Sequence, residues 1–149
     1  MARYDKYDPV NSGFRAPLAA NLTLTAGSSN GVNGPAGIGP VGVSLDANGR
    51  VVVGAGQSGI VGVLVKNMPM GAIAGSAQLA GITAAPMGAM AGDIVDVMTH
   101  GEITDVAGLA AGTKYYADAT TGALTTTSSG NKAIGYTVEA TRLVVRCGA

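Results

Sequence analysis

A chain of 149 residues has room for one domain with a core of its own. Hydrophobic residues make up 47% of it and charged residues only 12%, with 24 glycines, against about 25% charged in an ordinary soluble domain. Nine basic and nine acidic side chains cancel to +0, which removes the footprint needed to hold nucleic acid or an anionic membrane and favours self-association. The start, Met1-Ala2-Arg3-Tyr4-Asp5-Lys6, has no apolar run of the kind a signal peptide carries.

Residues 1–18 are expected to form an N-terminal arm. Tyr4, Tyr7 and Phe14 fall in its first 15 positions, half of all the aromatics in a chain with five Tyr and one Phe, and charges stand beside them. Aromatics without local periodicity mark a segment that packs on something else, either a partner or its own domain. The remainder, 19–149, reads as a single β-domain. Residues 16–45 first read as loop, broken at Ser28-Ser29-Asn30-Gly31 and Asn33-Gly34-Pro35.

Alternation of Val41, Val43 and Leu45 with small residues, the turn Asp46-Ala47-Asn48-Gly49 and the return Arg50 to Val53 predict a hairpin. The β-branched run Ile60 to Val65 suits a buried strand. Residues 67–92 carry no charge and read as a long Gly/Ala/Met-rich loop insertion. Pro69 and Pro86 and the scarcity of Leu and Ile argue against a membrane span there. Met68, Met70, Met87 and Met90 make the loop apolar and adaptable, as a contact surface or as a cover over the sheet.

Strands are then expected at Asp93 to Thr99 and Glu102 to Val106, with His100-Gly101 as the tight turn between them. Lys114 to Ala117, the turn Asp118 to Gly122, Ala123 to Thr127, Lys132 to Val138 and Arg142 to Arg146 complete the series. Eight or so short strands predict an all-β protein, a small β-sandwich or β-barrel.

Motifs suggestive of chemistry fail on context. Gly37, Gly39 and Gly42, and again Gly54, Gly56 and Gly59, match G-x-G-x-x-G, but both runs lead into strand patterns, and a pyrophosphate site needs a helix N-terminus. One His and one Cys, His100 and Cys147, cannot build a zinc site of four protein ligands, and no G-x-S-x-G elbow accompanies them. Asp93, Asp96, Glu102 and Asp105 form the one dense acidic cluster, but Asp93 and Asp96 are expected on opposite faces of a strand, and the cluster as solvated strand ends. No catalytic, metal or cofactor site is expected, and no enzyme activity.

The stretch Ala91-Gly92-Asp93-Ile94-Val95-Asp96-Val97-Met98-Thr99-His100-Gly101-Glu102-Ile103 resembles bacteriophage capsid decoration, or cement, proteins. Met1 to Leu18, Leu45 to Val51, Gly59 to Leu64, Ala111 to Tyr116 and Glu139 to Val145 are similar to that family in the same order, and residues 19–40 and 67–90 look like insertions. The resemblance implies a virion protein, made in the bacterial host cytoplasm, that binds the capsid exterior and bridges subunits of the major capsid protein, often as a homotrimer. The arm then becomes the expected capsid contact, with Tyr4, Tyr7 and Phe14 as anchors and Arg3 and Arg15 pairing with acidic groups. The Met-rich loop becomes the expected contact between copies. A tail-tube, spike or fibre component is the alternative, since those too are Gly-rich self-assembling β-proteins.

Overall fold

A computed structural model describes residues 12–21, 40–65, 90–104, 106 and 108–147. Ten strands are defined among them: β1 (Gly13–Pro17), β2 (Val41–Leu45), β3 (Val51–Val53), β4 (Gly62–Val65), β5 (Ile94–Met98), β6 (His100–Thr104), β7 (Lys114–Ala117), β8 (Leu124–Thr125), β9 (Lys132–Glu139) and β10 (Arg142–Arg146). They form two antiparallel sheets, ordered β1-β5-β4-β2-β3 and β6-β10-β9-β7-β8. The protein is all-β.

The first sheet curls until its outer strands meet. Leu18 bridges Val51 in parallel, and the Ala19 N–H donates to the Val51 carbonyl at 2.9 Å. The alternation read in the sequence lines the interior of this five-stranded barrel: Val41 and Val43 from β2, Val51, Leu64 from β4, Val95 and Val97 from β5, and Leu18 are buried together, with Phe14 and Ala16 packed against them. This contact ties the two outer strands at one point, in the manner by which small barrels draw their sheet edges together.

Alternate residues of the same strands point outward and meet the second sheet. Val63 and Met98 join Ile103, Tyr115, Ala117, Ile134, Leu143 and Val145 in a second buried cluster. The barrel wall is therefore buried on both faces, and a single apolar-polar alternation could not have shown this. Val-rich β2, β4 and β5 suit such a position because branched side chains pack well on a pleated surface.

Two features of the chain path differ from the sequence reading. His100-Gly101 is not a turn: both residues open β6 and pair with Arg146 and Val145. Only Thr99 separates β5 from β6, so the chain steps from one sheet to the other instead of forming a hairpin. The glycine is needed because φ is +143° at Gly101 and a side chain there would press on Met98. Part of the segment expected as arm and loop, Gly13 to Pro17, is strand, paired with β5 from Gly13↔Met98 to Pro17↔Ile94. The arm reading had no partner strand to consult.

The hairpin β2–β3 has the expected register, Val43↔Val53 to Leu45↔Val51. The glycine runs have a packing role. The Gly42 N–H donates to the Gly122 carbonyl at 2.7 Å and the Gly54 N–H to the Gly42 carbonyl at 2.9 Å, tying the barrel to the β7–β8 turn. Gly122 sits at φ +74°, and a β-carbon there would strike the Gly42 carbonyl.

Thr137 holds the loop before β7. Its buried hydroxyl accepts from the Thr113 N–H at 3.0 Å and donates to the Ala110 carbonyl. Thr137→Val keeps the shape and strands both groups, so it is expected to lower stability by about 1.5 kcal/mol, read as a lower midpoint of urea unfolding.

Candidate functional site

The surfaces that can meet a partner follow from how the two sheets point their side chains. Of the residues singled out in the sequence, Arg3, Tyr4, Tyr7, Met68, Met70 and Met87 lie outside the described residues. Phe14, Arg15 and Met90 lie within them. Phe14 is half-buried against the barrel interior of its own domain. Arg15 is paired in register with Asp96, and its Nε donates to Asp96 Oδ1 at 2.5 Å, with the two side chains 57% and 6% exposed.

Asp96 is therefore not the solvated strand end expected of it. It is a buried carboxylate with an Arg partner, as a buried charge must have. Asp93 does behave as expected: it is exposed, and its carboxylate accepts the Met90 N–H at 2.8 Å to close the turn into β5.

That turn presents an apolar patch beside β1. Met90 is 64% exposed and Ile94 60%, and Ile94 pairs with Pro17 of β1. Asn21 fixes the turn from below, its Oδ1 accepting the Ala91 N–H at 2.8 Å. Sequence reading found Met90 through its composition. It missed Ile94, which looked like any other core residue of a strand.

A second surface is the outer face of the second sheet. Tyr136 and Val138 are 46% and 47% exposed and stand among Lys114, Glu102 and Arg142. The Arg142 guanidinium pairs with Glu139 at 3.0 Å and lies 4.0 Å from Glu102. The Lys114 ammonium sits 5.5 Å from the centre of the Tyr116 ring, within cation–π range. Of these residues only Glu102 was singled out from the sequence, as a solvated acid, because two irregularities set the orientation of the others. Pairing shifts between Tyr115 and Tyr116 and again between Arg142 and Leu143, so Ile134 enters the core while Tyr136 and Val138 face out.

Chemistry is sparse on these surfaces. Among the described residues no group of three or more His, Cys, Asp or Glu could hold a metal ion, and no helix is long and apolar enough to cross a membrane. Asp46 and Asp118 are held below the usual carboxylate range by backbone N–H donors, chiefly those of Arg50 and Thr121, which makes them turn-fixing groups.

Burial pushes the Cys147 thiol up to about 12, the opposite of a reactive cysteine. The neutral thiol is the form the fold accepts, so its contribution to stability is complete below the ordinary value of 9.0 and is lost as pH rises toward about 12. Alkylation of Cys147 in the native protein at pH 8 is expected to be slower than in urea-unfolded chains by at least about tenfold.

Comparison with known proteins bears on what these surfaces serve. No curated protein matches the chain. Among solved structures, a chain from Mycobacterium phage Patience superposes with a TM-score of 0.65 at 20% identity, covering 97% of this chain and 95% of that one, which shows a shared fold. The family model for structural cement protein (E217 gp24/Pam3 gp6) matches residues 5–147. Matched over nearly its whole length, from before β1 to the end of β10, the chain belongs to the phage structural cement protein family, a class of capsid-stabilising virion proteins and not of enzymes.

Proposed function

We propose that the protein binds the outer surface of the capsid and stabilises it by bridging neighbouring subunits of the major capsid protein, as a homotrimer, after synthesis in the bacterial host cytoplasm. Residues 1–11 supply the reaching contact, with Tyr4 and Tyr7 as aromatic anchors and Arg3 as the cation for acidic groups. Phe14 and Arg15 extend that contact at its base, where they join it to the barrel. Met90, with the Met-rich loop of Met68, Met70 and Met87, faces neighbouring copies.

The observation that carries this reading is the anchoring of β1. Phe14 packs on the barrel interior and Arg15 pairs with Asp96, so a pull on the residues before Gly13 is transmitted to the folded domain. An arm fixed to a rigid base spends less conformational entropy on binding than one hung from a loop.

The test is co-sedimentation with capsids that lack the protein. Saturable binding at a fixed ratio to the major capsid protein is expected. Deletion of residues 1–11, which spares β1, is expected to weaken binding at least about a hundredfold, since two central aromatics each count for about 2 kcal/mol. Unchanged binding after that deletion would remove the arm from the mechanism.

A further inference from the structure

We infer that the outer face of the second sheet is an interface between two copies of this chain related by a two-fold axis. The inference does not rest on capsid binding. The cross-strand partners place four residues in one row over four adjacent strands: Glu102 of β6 opposite Val144 of β10, Val144 opposite Tyr136 of β9, and Tyr136 opposite Lys114 of β7. An acid stands at one end and a cation at the other. Between them lie Val144, buried at 6%, and Tyr136, which is 46% exposed and flanked by Val138 at 47%.

This row is complementary to itself. With adjacent strands about 4.8 Å apart, Glu102 and Lys114 are separated by about 14 Å across the sheet. A two-fold axis lying between β10 and β9, parallel to the strands, sets Glu102 of each copy opposite Lys114 of the other and lays the exposed Tyr136 over β10. An axis along the row would instead set Glu102 against Glu102 and Lys114 against Lys114. Charge therefore selects the first arrangement.

The acid end keeps an excess of negative charge, because Glu102 and Glu139 share the single cation Arg142. Among the described residues, Lys114 has the face of Tyr116 as its neighbour of opposite polarity. Composition agrees with the assignment, since Tyr136 and Arg142 beside the exposed Val138 are residue types enriched at interface centres. Five strands of this length offer roughly 400 Å² a side, about half of a standard interface. The contact is therefore weak between free copies and gains from the high local concentration on a particle. Being two-fold, it is separate from the proposed threefold contact.

Sedimentation velocity of the purified full-length protein up to millimolar concentration, without capsids, tests the assignment. The wild type is expected to form a reversible two-fold complex. Lys114→Glu and Glu102→Lys are each expected to weaken it about tenfold or more, because each reversal sets two pairs of like charges face to face. An equimolar mixture of the two variants is expected to associate as the wild type does, within about threefold, since every Glu then faces a Lys.

Only a self-complementary face gives that rescue, and a face built for a different partner does not. Tyr136→Asp, at an exposed position, serves as the second variant should Glu102→Lys fail to fold. It is expected to abolish association at an unchanged melting temperature. A monomeric wild type throughout, association unaffected by Lys114→Glu and Tyr136→Asp, or a mixture no better than its components would overturn the inference. Loss of capsid binding with the two-fold complex intact would instead bear on the proposed function alone.

Discussion

Leu143→Ala is expected to destabilise the protein by about 3 kcal/mol, from lost transfer energy together with the cavity left behind. Leu143 is fully buried in β10, where it joins Val145, Ile134 and Met98 between the barrel and the second sheet. Both neighbouring layers are held by ladders and by the Gly42–Gly122–Gly54 hydrogen bonds, so the site cannot collapse around the missing atoms. Urea unfolding checks it: the midpoint falls while the slope stays constant. Val138→Ala, an apolar truncation on a neighbouring strand but on the exposed face, is expected to change stability by less than about 0.5 kcal/mol. Similar losses for the two would mean that the cluster between the sheets does not form.

Arg15→Ala is expected to cost about 2 kcal/mol, below the roughly 3–5 kcal/mol of a fully buried pair because its guanidinium is more than half exposed to water. The cost arises on the other partner: Asp96, nearly inaccessible, keeps a charge without a counter-charge. Asp96→Asn is expected to cost only about 1 kcal/mol, since the released guanidinium returns to water. The double variant is expected to lie near Asp96→Asn, because the stranded carboxylate is then gone. On the proposed capsid contact through residues 1–11, Arg15→Ala is also expected to reduce capsid co-sedimentation. Equal losses from the two single variants would show that the pair acts as an exposed ion pair.

Much of the strand inventory was legible because strands announce themselves locally. The β2–β3 hairpin, β7 and β10 follow from alternation, turn residues and β-branched runs, each decided within about ten residues. Gly13 to Pro17 could not be read as strand in the same way. GFRAP has a Gly, an Arg and a Pro in five positions, and becomes a strand because β5 offers it a ladder. Pro17, ending β1 at the barrel rim, is tolerated where no further donor is needed.

The surfaces were less legible than the fold. Composition alone marked the chain as sparsely charged with no net charge, and residue order matched the cement family. It also isolated the aromatic residues of the first 15 positions and the methionines of 67–92. Nothing local marked Tyr136, Val138 or Ile94 as exposed, or Asp96 as buried.

Those assignments rest on two bulges, on the step at Thr99 and on the closure of Leu18 upon Val51. A strand's alternation has period two and says only which residues share a face. Which face is inside depends on what packs there, and here the barrel wall is inside on both. Sequence by itself determined the all-β class, the family and most strand positions, because propensity and turn chemistry act over a few residues. Tertiary structure alone decided the meeting of Leu18 with Val51, the pairing of Arg15 with the buried Asp96 and the alignment of Glu102, Tyr136 and Lys114 across the second sheet, because each joins residues far apart in the chain.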